Sequence, residues 1–300
     1  MLEARKNTLP DYRSCDEALT RVGTEPAGSG KPVSLKPSSR KLVAVFVPGF
    51  AWDCIATWLD APGTAAQHLQ GQGFEVQLLP VEGLSSSTRN AQLIRDAIMN
   101  RPAEPGPPRL VLIGYSKGAP DVLEAVAAYP ELRTRVAAVV SAAGTVGGSP
   151  LANDAEQYQA DLLRHFPGAT CTSGDGGAVA SLRPDVRQAW LAANPLPAGP
   201  RYYSLATFPQ PQRMSSLLQS SYNKLARVDA RNDSQAIFYD QIIPNSTLMG
   251  FINADHWALA VPIARKERTF ATLFVDQNAY PREALAEAML RMIEEDLAGQ

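Results

Sequence analysis

Short apolar runs alternate with longer amphipathic segments from residue 41 onwards. The apolar runs predict strands over 42–47, 75–79, 109–113, 136–141, 201–207 and 248–252. The helical patterns predict helices over 62–71, 86–100 and 118–129, one within 209–228, and a last one that starts at Pro281. Strands that alternate with helices are typical of a mainly parallel sheet with helices on both faces. We therefore predict an α/β fold, in which ligands bind at the carboxyl ends of the strands.

The chain divides into an N-terminal arm and one larger domain. Residues 1–40 end in a stretch rich in Gly, Ser, Pro and Lys, which is linker composition, and we predict a poorly ordered arm there. Residues 41–300 are expected to form a single domain. The alternation of strands and helices stops over about 150–200, where a Gly-rich stretch precedes a helical pattern, and this predicts an insertion into the domain.

Composition and charge exclude several classes of protein. The 300 residues are 45% hydrophobic, which is enough for a sizeable core, and the formal net charge is −2. Without a basic block there is no reason to expect nucleic acid as a partner. No apolar stretch approaches membrane-spanning length, so we expect no integral membrane segment. The N-terminus lacks the apolar centre of a signal peptide, which indicates a cytoplasmic protein, or a secreted one whose signal peptide has been removed. Nothing in the sequence indicates the oligomeric state.

The cysteines give no evidence of a metal site. Cys15, Cys54 and Cys171 are odd in number and far apart, and they match neither a zinc site nor a disulfide framework. Buried free thiols are expected, although one pair could form a bridge in an exported protein. No other cluster of metal ligands stands out, and we predict neither a metal nor an organic cofactor.

The strongest chemical signal is the pentapeptide Gly114-Tyr115-Ser116-Lys117-Gly118. It follows a predicted buried strand and precedes a predicted helix, which is the context of the G-x-S-x-G nucleophile elbow. In such a turn the glycines avoid side-chain clashes, and the serine oxygen is exposed above the sheet. The pattern alone is weak because five-residue motifs recur by chance. Its position between strand and helix makes Ser116 the candidate nucleophile.

A serine nucleophile needs a base, and the chain contains only three histidines, His68, His165 and His256. In hydrolases with this elbow the chain order is nucleophile, acid, histidine, so the base follows Ser116. His68 precedes the serine, and His165 precedes any plausible acid strand. His256 comes shortly after the predicted strand 248–252, on the loop where the base is expected. His256 is therefore the candidate base.

The acid must accept a hydrogen bond from the other ring nitrogen of the histidine. Asp229, Asp233 and Asp240 lie between the serine and the histidine on predicted loop ends. Asp233 is favoured because it lies in a polar turn before an apolar segment, whereas Asp240 could equally cap a helix. Asp229 and Asp240 remain alternatives. Asp255 is adjacent in the chain to His256 and is badly placed to reach around the ring.

An oxyanion hole requires backbone N–H groups that point at the developing negative charge. One donor is expected from Lys117, the residue after the nucleophile. The other is expected from the loop after the first strand, with Phe50 preferred over its neighbour Ala51. The Lys117 ammonium is expected to point away from the site and to pair with Asp121, one helical turn further on.

These segments together resemble the α/β-hydrolase superfamily, and within it the bacterial lipases and esterases. The resemblance rests on the elbow, on Pro48-Gly49-Phe50, on residues 144–153 and on Asn232-Asp233. Pro48-Gly49-Phe50 resembles the His-Gly oxyanion loop, and GTVGGSPLAN is similar to the lipase pattern G-T-P-H-x-G-S-P-x-A-D. The Asn-Asp pair resembles the one that carries the acid in those lipases. The differences from the family are Pro48 for His, Val146 and Gly147 for Pro and His in a shorter segment, Asn153 for Asp, and Ser234 for Gly.

The resemblance implies a carboxylic ester hydrolase that acts on small-molecule or lipid esters. Ser116, Asp233 and His256 would form the triad, and the N–H groups of Phe50 and Lys117 would form the oxyanion hole. In such enzymes an insertion like 150–200 commonly forms a lid or cap, either mobile or fixed. A thioesterase or an intracellular polyester depolymerase with the same triad is the main alternative. A non-catalytic binding protein with this fold is the other.

Overall fold

The computed structural model of the protein describes residues 1–23, 25, 34–55, 63–102, 106, 109–154, 172–266 and 268–299. Their strands are β1 Val43–Val47, β2 Glu75–Leu78, β3 Leu110–Tyr115, β4 Val136–Ala142, β5 Arg201–Thr207 and β6 Thr247–Ile252. Their α-helices are α1 Leu2–Arg5, α2 Cys15–Ala18, α3 Trp52–Ile55, α4 Gly63–Gly71, α5 Ser87–Met99, α6 Gly118–Ala128, α7 Ala178–Ser181, α8 Pro184–Ala193, α9 Gln219–Leu225, α10 His256–Ala260, α11 Ile263–Lys266, α12 Arg268–Phe274 and α13 Arg282–Ala298.

The strands form one sheet in the order β2-β1-β3-β4-β5-β6, and every neighbouring pair is parallel. The central strands β3 and β4 are rich in Val, Leu, Ile and Ala, and all of β4 is buried. Strands that are covered by helices on both faces need such continuous apolar runs. The predicted α/β class with a mainly parallel sheet is confirmed.

Successive side chains of a strand point to opposite faces, so the sheet supports two apolar cores. Val45 and Leu112 face α5 and α6, whereas Ala44 and Ile113 face α4 and α13. Full burial of a side chain such as leucine or isoleucine stabilises the fold by about 1.5–3 kcal/mol. The helices therefore pack against both faces of the sheet and hold the carboxyl ends of its strands in fixed positions.

The predicted helices after the first three strands are confirmed as α4, α5 and α6. Helix α5 begins after Ser86, whose hydroxyl accepts from the backbone N–H of Arg89 at 3.1 Å, which is an N-cap. Helix α13 begins at Arg282, directly after Pro281, as the proline at the predicted start suggests. In the part of the chain that the structure describes, none of the helices is both long and apolar enough to cross a membrane.

Residues 1–23, in the segment expected to be a poorly ordered arm, contact the domain at defined places. Leu19 forms an antiparallel bridge with Ile252 at the end of β6. The buried Arg13 donates to the carbonyl of Asn253 at 3.1 Å. These contacts join the N-terminal segment to the C-terminal end of β6. The Gly- and Ser-rich stretch that follows lies largely outside the described residues.

The described part of the predicted insertion at 150–200 is attached to the domain, and residues 155–171 lie outside the description. Arg187 of α8 is buried and bonds to the Glu124 carboxylate of α6 at 2.7 Å. It also donates to the carbonyl of Val146 at 3.1 Å. Burial raises the pKa of Glu124, and the nearby Arg187 guanidinium opposes this rise. A buried ion pair therefore fixes α8 against the face of the sheet that carries α6.

The expectation of buried free thiols is wrong for two cysteines. Cys54 is disulfide-bonded, and Cys15 is a free thiol on the surface. Cys171 lies outside the described residues. An odd number of widely spaced cysteines does not reveal which pair the fold brings together, because that depends on loop positions that the spacing does not encode.

Candidate active site

Ser116 lies in a sharp turn between β3 and α6. Its φ of 55° is in the left-handed region, where a non-glycine residue is strained. A Cβ on Gly114 would come within 2.5 Å of the Ala119 backbone, and one on Gly118 within 2.2 Å of the Val47 carbonyl oxygen. Neither glycine can carry a side chain without displacing backbone. The turn therefore has the geometry of a nucleophile elbow.

His256 brings the serine and an acid together. It is the first residue of α10, and only 3% of its surface is exposed. Its Nε2 lies 2.9 Å from Oγ of Ser116, and its Nδ1 lies 2.7 Å from Oδ2 of Asp233. Its backbone N–H also donates to the carbonyl of Asp233 at 3.0 Å. The three side chains form a continuous chain of hydrogen bonds in which the acid orients the ring and the ring faces the hydroxyl.

The carboxylate of Asp233 is completely buried, and both of its oxygens have partners. Oδ1 accepts from the backbone N–H groups of Gln235 and Ala236 at 2.9 and 2.8 Å. Oδ2 accepts from the hydroxyl of Thr207 at 2.7 Å, in addition to His256. These hydrogen bonds fix the carboxylate beside the imidazole. The arrangement can therefore stabilise a positive charge on the imidazole.

The other aspartates considered from the sequence lie elsewhere. Asp229 pairs with Arg231 at 2.7 Å on the surface. Asp240 lies beside Gly147, and burial raises the pKa of its carboxyl to about 6. Asp255 caps the N-terminus of α10, and burial raises the pKa of its carboxyl as well. Of these groups only Asp233 has its carboxylate hydrogen-bonded to the histidine.

The loop after β1 packs directly against the serine. A Cβ on Gly49 would lie 2.7 Å from the Cβ of Ser116. The N–H of Ala51 donates to the carbonyl of Gly83 at 3.0 Å, so it is engaged in holding the loop. Phe50 as the oxyanion donor stays a prediction.

The backbone N–H and the side chain of Lys117 differ in their hydrogen-bond partners. No acceptor for its backbone N–H occurs within the described part of the chain. Its Nζ lies 2.8 and 2.9 Å from the two carboxylate oxygens of Asp121, and both side chains are buried. Asn90 donates to the same carboxylate at 2.7 Å. The predicted pairing with Asp121 is confirmed, and it keeps the ammonium away from the serine hydroxyl.

Two residues that contact the site were not identified from the sequence. The hydroxyl of Tyr115 donates to the carbonyl of His256 at 2.8 Å, and the two rings are 5.0 Å apart. Thr207, the last residue of β5, donates to Asp233. The sequence contains a signal for Thr207, because this residue ends the predicted strand 201–207. The carboxyl end of that strand lies at the same edge of the sheet as the serine. Tyr115 is the unspecified second position of the elbow motif, and nothing in the motif assigns it a partner.

Comparison of the sequence with models of protein families and with curated proteins found no match. Solved structures do match. A carboxyl esterase of metagenomic origin is 37% identical and covers 98% of this chain and 89% of its own, with a TM-score of 0.88. The mature lipase of Bacillus licheniformis is 22% identical over 76% of this chain and 89% of its own, with a TM-score of 0.60. The Staphylococcus hyicus lipase is 13% identical over 89% of this chain and 99% of its own, also at 0.60.

The fold and the neighbouring structures together define a serine hydrolase of the α/β type. The similarity to the metagenomic esterase extends over almost the whole chain, well beyond the elbow. The chain belongs to the α/β-hydrolase superfamily, with the carboxyl esterases and bacterial lipases, and it is a carboxylic ester hydrolase.

Proposed function

We propose that Ser116, His256 and Asp233 are the catalytic triad and that they cleave carboxylic esters through an acyl-enzyme. The observation that carries this proposal is the unbroken chain of hydrogen bonds from the Ser116 hydroxyl through the imidazole to the Asp233 carboxylate, at 2.9 and 2.7 Å. A serine hydroxyl is a weak nucleophile unless an adjacent base removes its proton. The substrate is a small-molecule or lipid ester, and its carbonyl would lie above the elbow.

In the first half of the reaction His256 Nε2 takes the proton of Ser116 as Oγ attacks the ester carbonyl carbon. The carbonyl oxygen becomes an oxyanion, which the N–H groups of Lys117 and Phe50 stabilise. The protonated imidazole is held in orientation by Asp233. His256 then gives its proton to the alcohol oxygen as the carbon–oxygen bond breaks. The alcohol leaves, and the acyl group stays on Ser116.

In the second half a water molecule replaces the alcohol. His256 takes a proton from the water as its oxygen attacks the acyl carbon, and the same N–H groups stabilise the second oxyanion. The tetrahedral intermediate collapses when the bond to Ser116 breaks and the imidazole returns the proton to the serine oxygen. The carboxylic acid leaves, and the enzyme is restored without a metal or an organic cofactor.

The insertion at 150–200 is proposed to be a cap that borders the ester site. Its described part is held at several places, which supports a fixed position for that part. Besides the ion pair of Arg187, the Asp175 carboxylate accepts from the backbone N–H and hydroxyl of Ser86 at 2.7 and 2.6 Å. Asp53 accepts from the N–H of Thr172 at 3.3 Å.

The disulfide at Cys54 supports a site of action in an oxidising compartment rather than the cytoplasm, where thiols are kept reduced.

The proposed triad is tested by hydrolysis of p-nitrophenyl esters over a short-to-long acyl series. We expect wild type to be active and Ser116→Ala to be inactive. Asp233→Asn should lower kcat by about 10³–10⁴-fold, because the histidine then loses its correct tautomer. A fluorophosphonate probe should label wild type and not Ser116→Ala. Full activity in Ser116→Ala would refute the mechanism, and full activity in Asp233→Asn would remove the acid assignment alone.

A thioesterase or polyester depolymerase would use the same triad with a different pocket. Parallel assays with thioesters and aliphatic polyesters separate these functions from ester hydrolysis. The preferred substrate is the one with the highest kcat/KM. A binding protein without activity is ruled out by covalent labelling of the serine together with turnover of any of these substrates.

A further inference from the structure

A cavity lies at the carboxyl edge of the sheet, on the face that carries α4 and α13. Its volume is about 110 Å³, which is close to the roughly 150 Å³ of an apolar protein cavity that holds benzene. Its wall is mostly apolar, and small side chains leave the space open. These are Ala65, Ala142, Ala260 and Ala286. Such a wall favours an apolar ligand.

The cavity reaches the residue next to the candidate nucleophile. Tyr115 lines the cavity, whereas Ser116 does not. The hydroxyl of Tyr115 donates to the carbonyl of His256 at 2.8 Å, which holds its ring against the imidazole. The cavity therefore lies next to the ester site, and the serine hydroxyl is not part of its wall.

One end of the cavity carries a buried cation whose bonding is incomplete. Arg282 lines the cavity and is only 6% exposed. Its guanidinium donates to the backbone and side-chain oxygens of Asn278, and it lies 3.5 Å from the carboxylate of Asp11. Its Nε has no acceptor among the described residues. A buried donor without an acceptor is costly, and a ligand oxygen would relieve that cost.

The other charges at this end are already paired. Glu283 also lines the cavity, but its carboxylate accepts from Arg265 at 2.6 Å and from the hydroxyl of Thr64 at 2.7 Å. Arg265 further pairs with Asp11. Among the described residues that line the cavity, Arg282 is the charged one with a donor, Nε, that lacks an acceptor. An anionic head group therefore fits this end better than a cationic one.

We propose that this cavity binds a free short-chain fatty acid, with the aliphatic chain in the apolar body and the carboxylate on Arg282. A fatty acid is also the chemical class of product that hydrolysis of a lipid ester releases. The inference rests on the cavity and on Arg282, and it holds whichever residues prove to be the triad.

The test is calorimetric titration of Ser116→Ala protein with saturated fatty acids of four to ten carbons, below their micelle concentrations, and with the matched n-alkanols. Each methylene that enters an apolar cavity contributes about 0.8 kcal/mol, so affinity should rise about fourfold per carbon until the space is filled. The acid should bind at least tenfold more tightly than the alcohol of equal length, because only the carboxylate forms an ion pair with the guanidinium.

Two variants and a matched control locate the site. Ala286→Leu fills part of the cavity and should weaken binding of the longer acids at least tenfold. Ala298→Leu places the same side chain on an exposed position of α13 and should change nothing. Arg282→Gln should remove the difference between acid and alcohol. If that variant does not fold, Ala286→Leu still decides whether the chain lies in this cavity.

Several outcomes would overturn the proposal. They are no binding of any acid, equal affinity of Ala286→Leu and wild type for the long acids, and equal affinity for acid and alcohol. A further control uses wild-type protein that carries a phosphonate on its serine. Unchanged fatty-acid affinity after labelling supports the separate cavity, whereas loss of binding would place the ligand in the ester site instead.

Discussion

The hydroxyl of Thr207 donates to Oδ2 of Asp233 at 2.7 Å, and the same carboxylate oxygen bonds to the imidazole of His256. Thr207 ends β5 and is completely buried. Gln241 holds it from the other side, because its side chain accepts from the Thr207 N–H at 2.6 Å and donates to the Thr207 carbonyl at 2.8 Å. The candidate acid lies on a long loop, yet its carboxylate is fixed to the end of β5, an inner strand of the sheet.

Thr207→Val is expected to lower kcat/KM for a short ester about tenfold. Loss of a hydrogen bond to a charged group costs about 1.5–3 kcal/mol, and part of this cost should appear as weaker stabilisation of the imidazolium. Steady-state kinetics should show the loss mainly in kcat. Thr207→Ser retains the hydroxyl and is the control, with activity close to wild type. Equal activity in the valine variant would mean that the hydroxyl does not assist the acid.

Gly118→Ala is expected to disrupt the elbow. A Cβ at this position would lie 2.2 Å from the Val47 carbonyl oxygen, and backbone cannot move aside as a flexible side chain can. We expect a loss of about 3 kcal/mol or more in the free energy of unfolding, with loss of ester hydrolysis. Urea unfolding followed by circular dichroism measures the change.

Gly71→Ala is the matched control for that experiment. A Cβ on Gly71, at the end of α4, would meet nothing within 4 Å. Alanine is the better helix former by up to about 1 kcal/mol, so the variant should equal or exceed wild type in stability. Similar losses in both variants would show that the close contact at Gly118 is not the cause.

Lys117→Met is expected to destabilise the protein by about 3–5 kcal/mol and to leave the catalytic N–H in place. The ammonium is buried with Asp121, and removal of one partner leaves an uncompensated buried charge. Arg183→Met breaks an exposed pair with Asp185 and should cost less than about 1 kcal/mol. Where the lysine variant remains folded, its kcat should stay within a few-fold of wild type. A larger fall in kcat would assign the ammonium a direct part in the reaction.

The sequence predicts a larger part of the fold than of the candidate site. Strands such as Val136–Ala142 are continuous apolar runs, and the elbow has a strand before it and a helix after it, so local patterns identified both. The partners of the acid could not be predicted in this way. Thr207 reaches Asp233 across 26 positions, and Arg13 reaches Asn253 across 240, and only the folded sheet brings such distant segments together. The disulfide at Cys54 was only an alternative to free thiols for the same reason.

Asp240→Asn is expected to stabilise the protein at pH 8 and to leave activity unchanged. Burial raises the pKa of Asp240 from an ordinary value of 3.8 to about 6. A raised folded-state pKa means that stability is fully present below pH 3.8 and is lost as the pH rises through 6. The asparagine does not titrate, so its advantage should be absent at pH 3.5 and on the order of 1 kcal/mol at pH 8, since solvent partly screens the group.

The measurement for Asp240 is urea unfolding of both proteins at the two pH values, together with ester hydrolysis at pH 8. Asp240 was an alternative for the catalytic acid. A fall in kcat comparable to that of Asp233→Asn would return it to that role. Equal stability of variant and wild type at pH 8 would contradict the proposed cost of its ionisation.

Arg13→Gln is expected to weaken both the fold and the site, because Arg13 joins the N-terminal segment to the loop that carries the histidine. Its guanidinium donates to the carbonyls of Asn253 and Gln277 at 3.1 and 3.4 Å and to that of Ala279, and only 7% of the residue is exposed. Burial lowers the pKa of Arg13, because the positive charge is costly to bury. The hydrogen bonds to these carbonyls offset part of that cost. Loss of charge-assisted bonds should reduce the free energy of unfolding by about 2 kcal/mol.

The catalytic effect of that change separates a positioning role from simple stabilisation. Asn253 lies three residues before His256, so a looser loop should lower kcat several-fold at a temperature where the variant is still folded, with KM nearly unchanged. Arg21→Gln removes an exposed arginine that pairs with the exposed Asp16, and it should alter neither property. If Arg13→Gln unfolds at lower urea concentration yet keeps the kcat of wild type, the N-terminal segment stabilises the edge of the sheet without positioning the histidine.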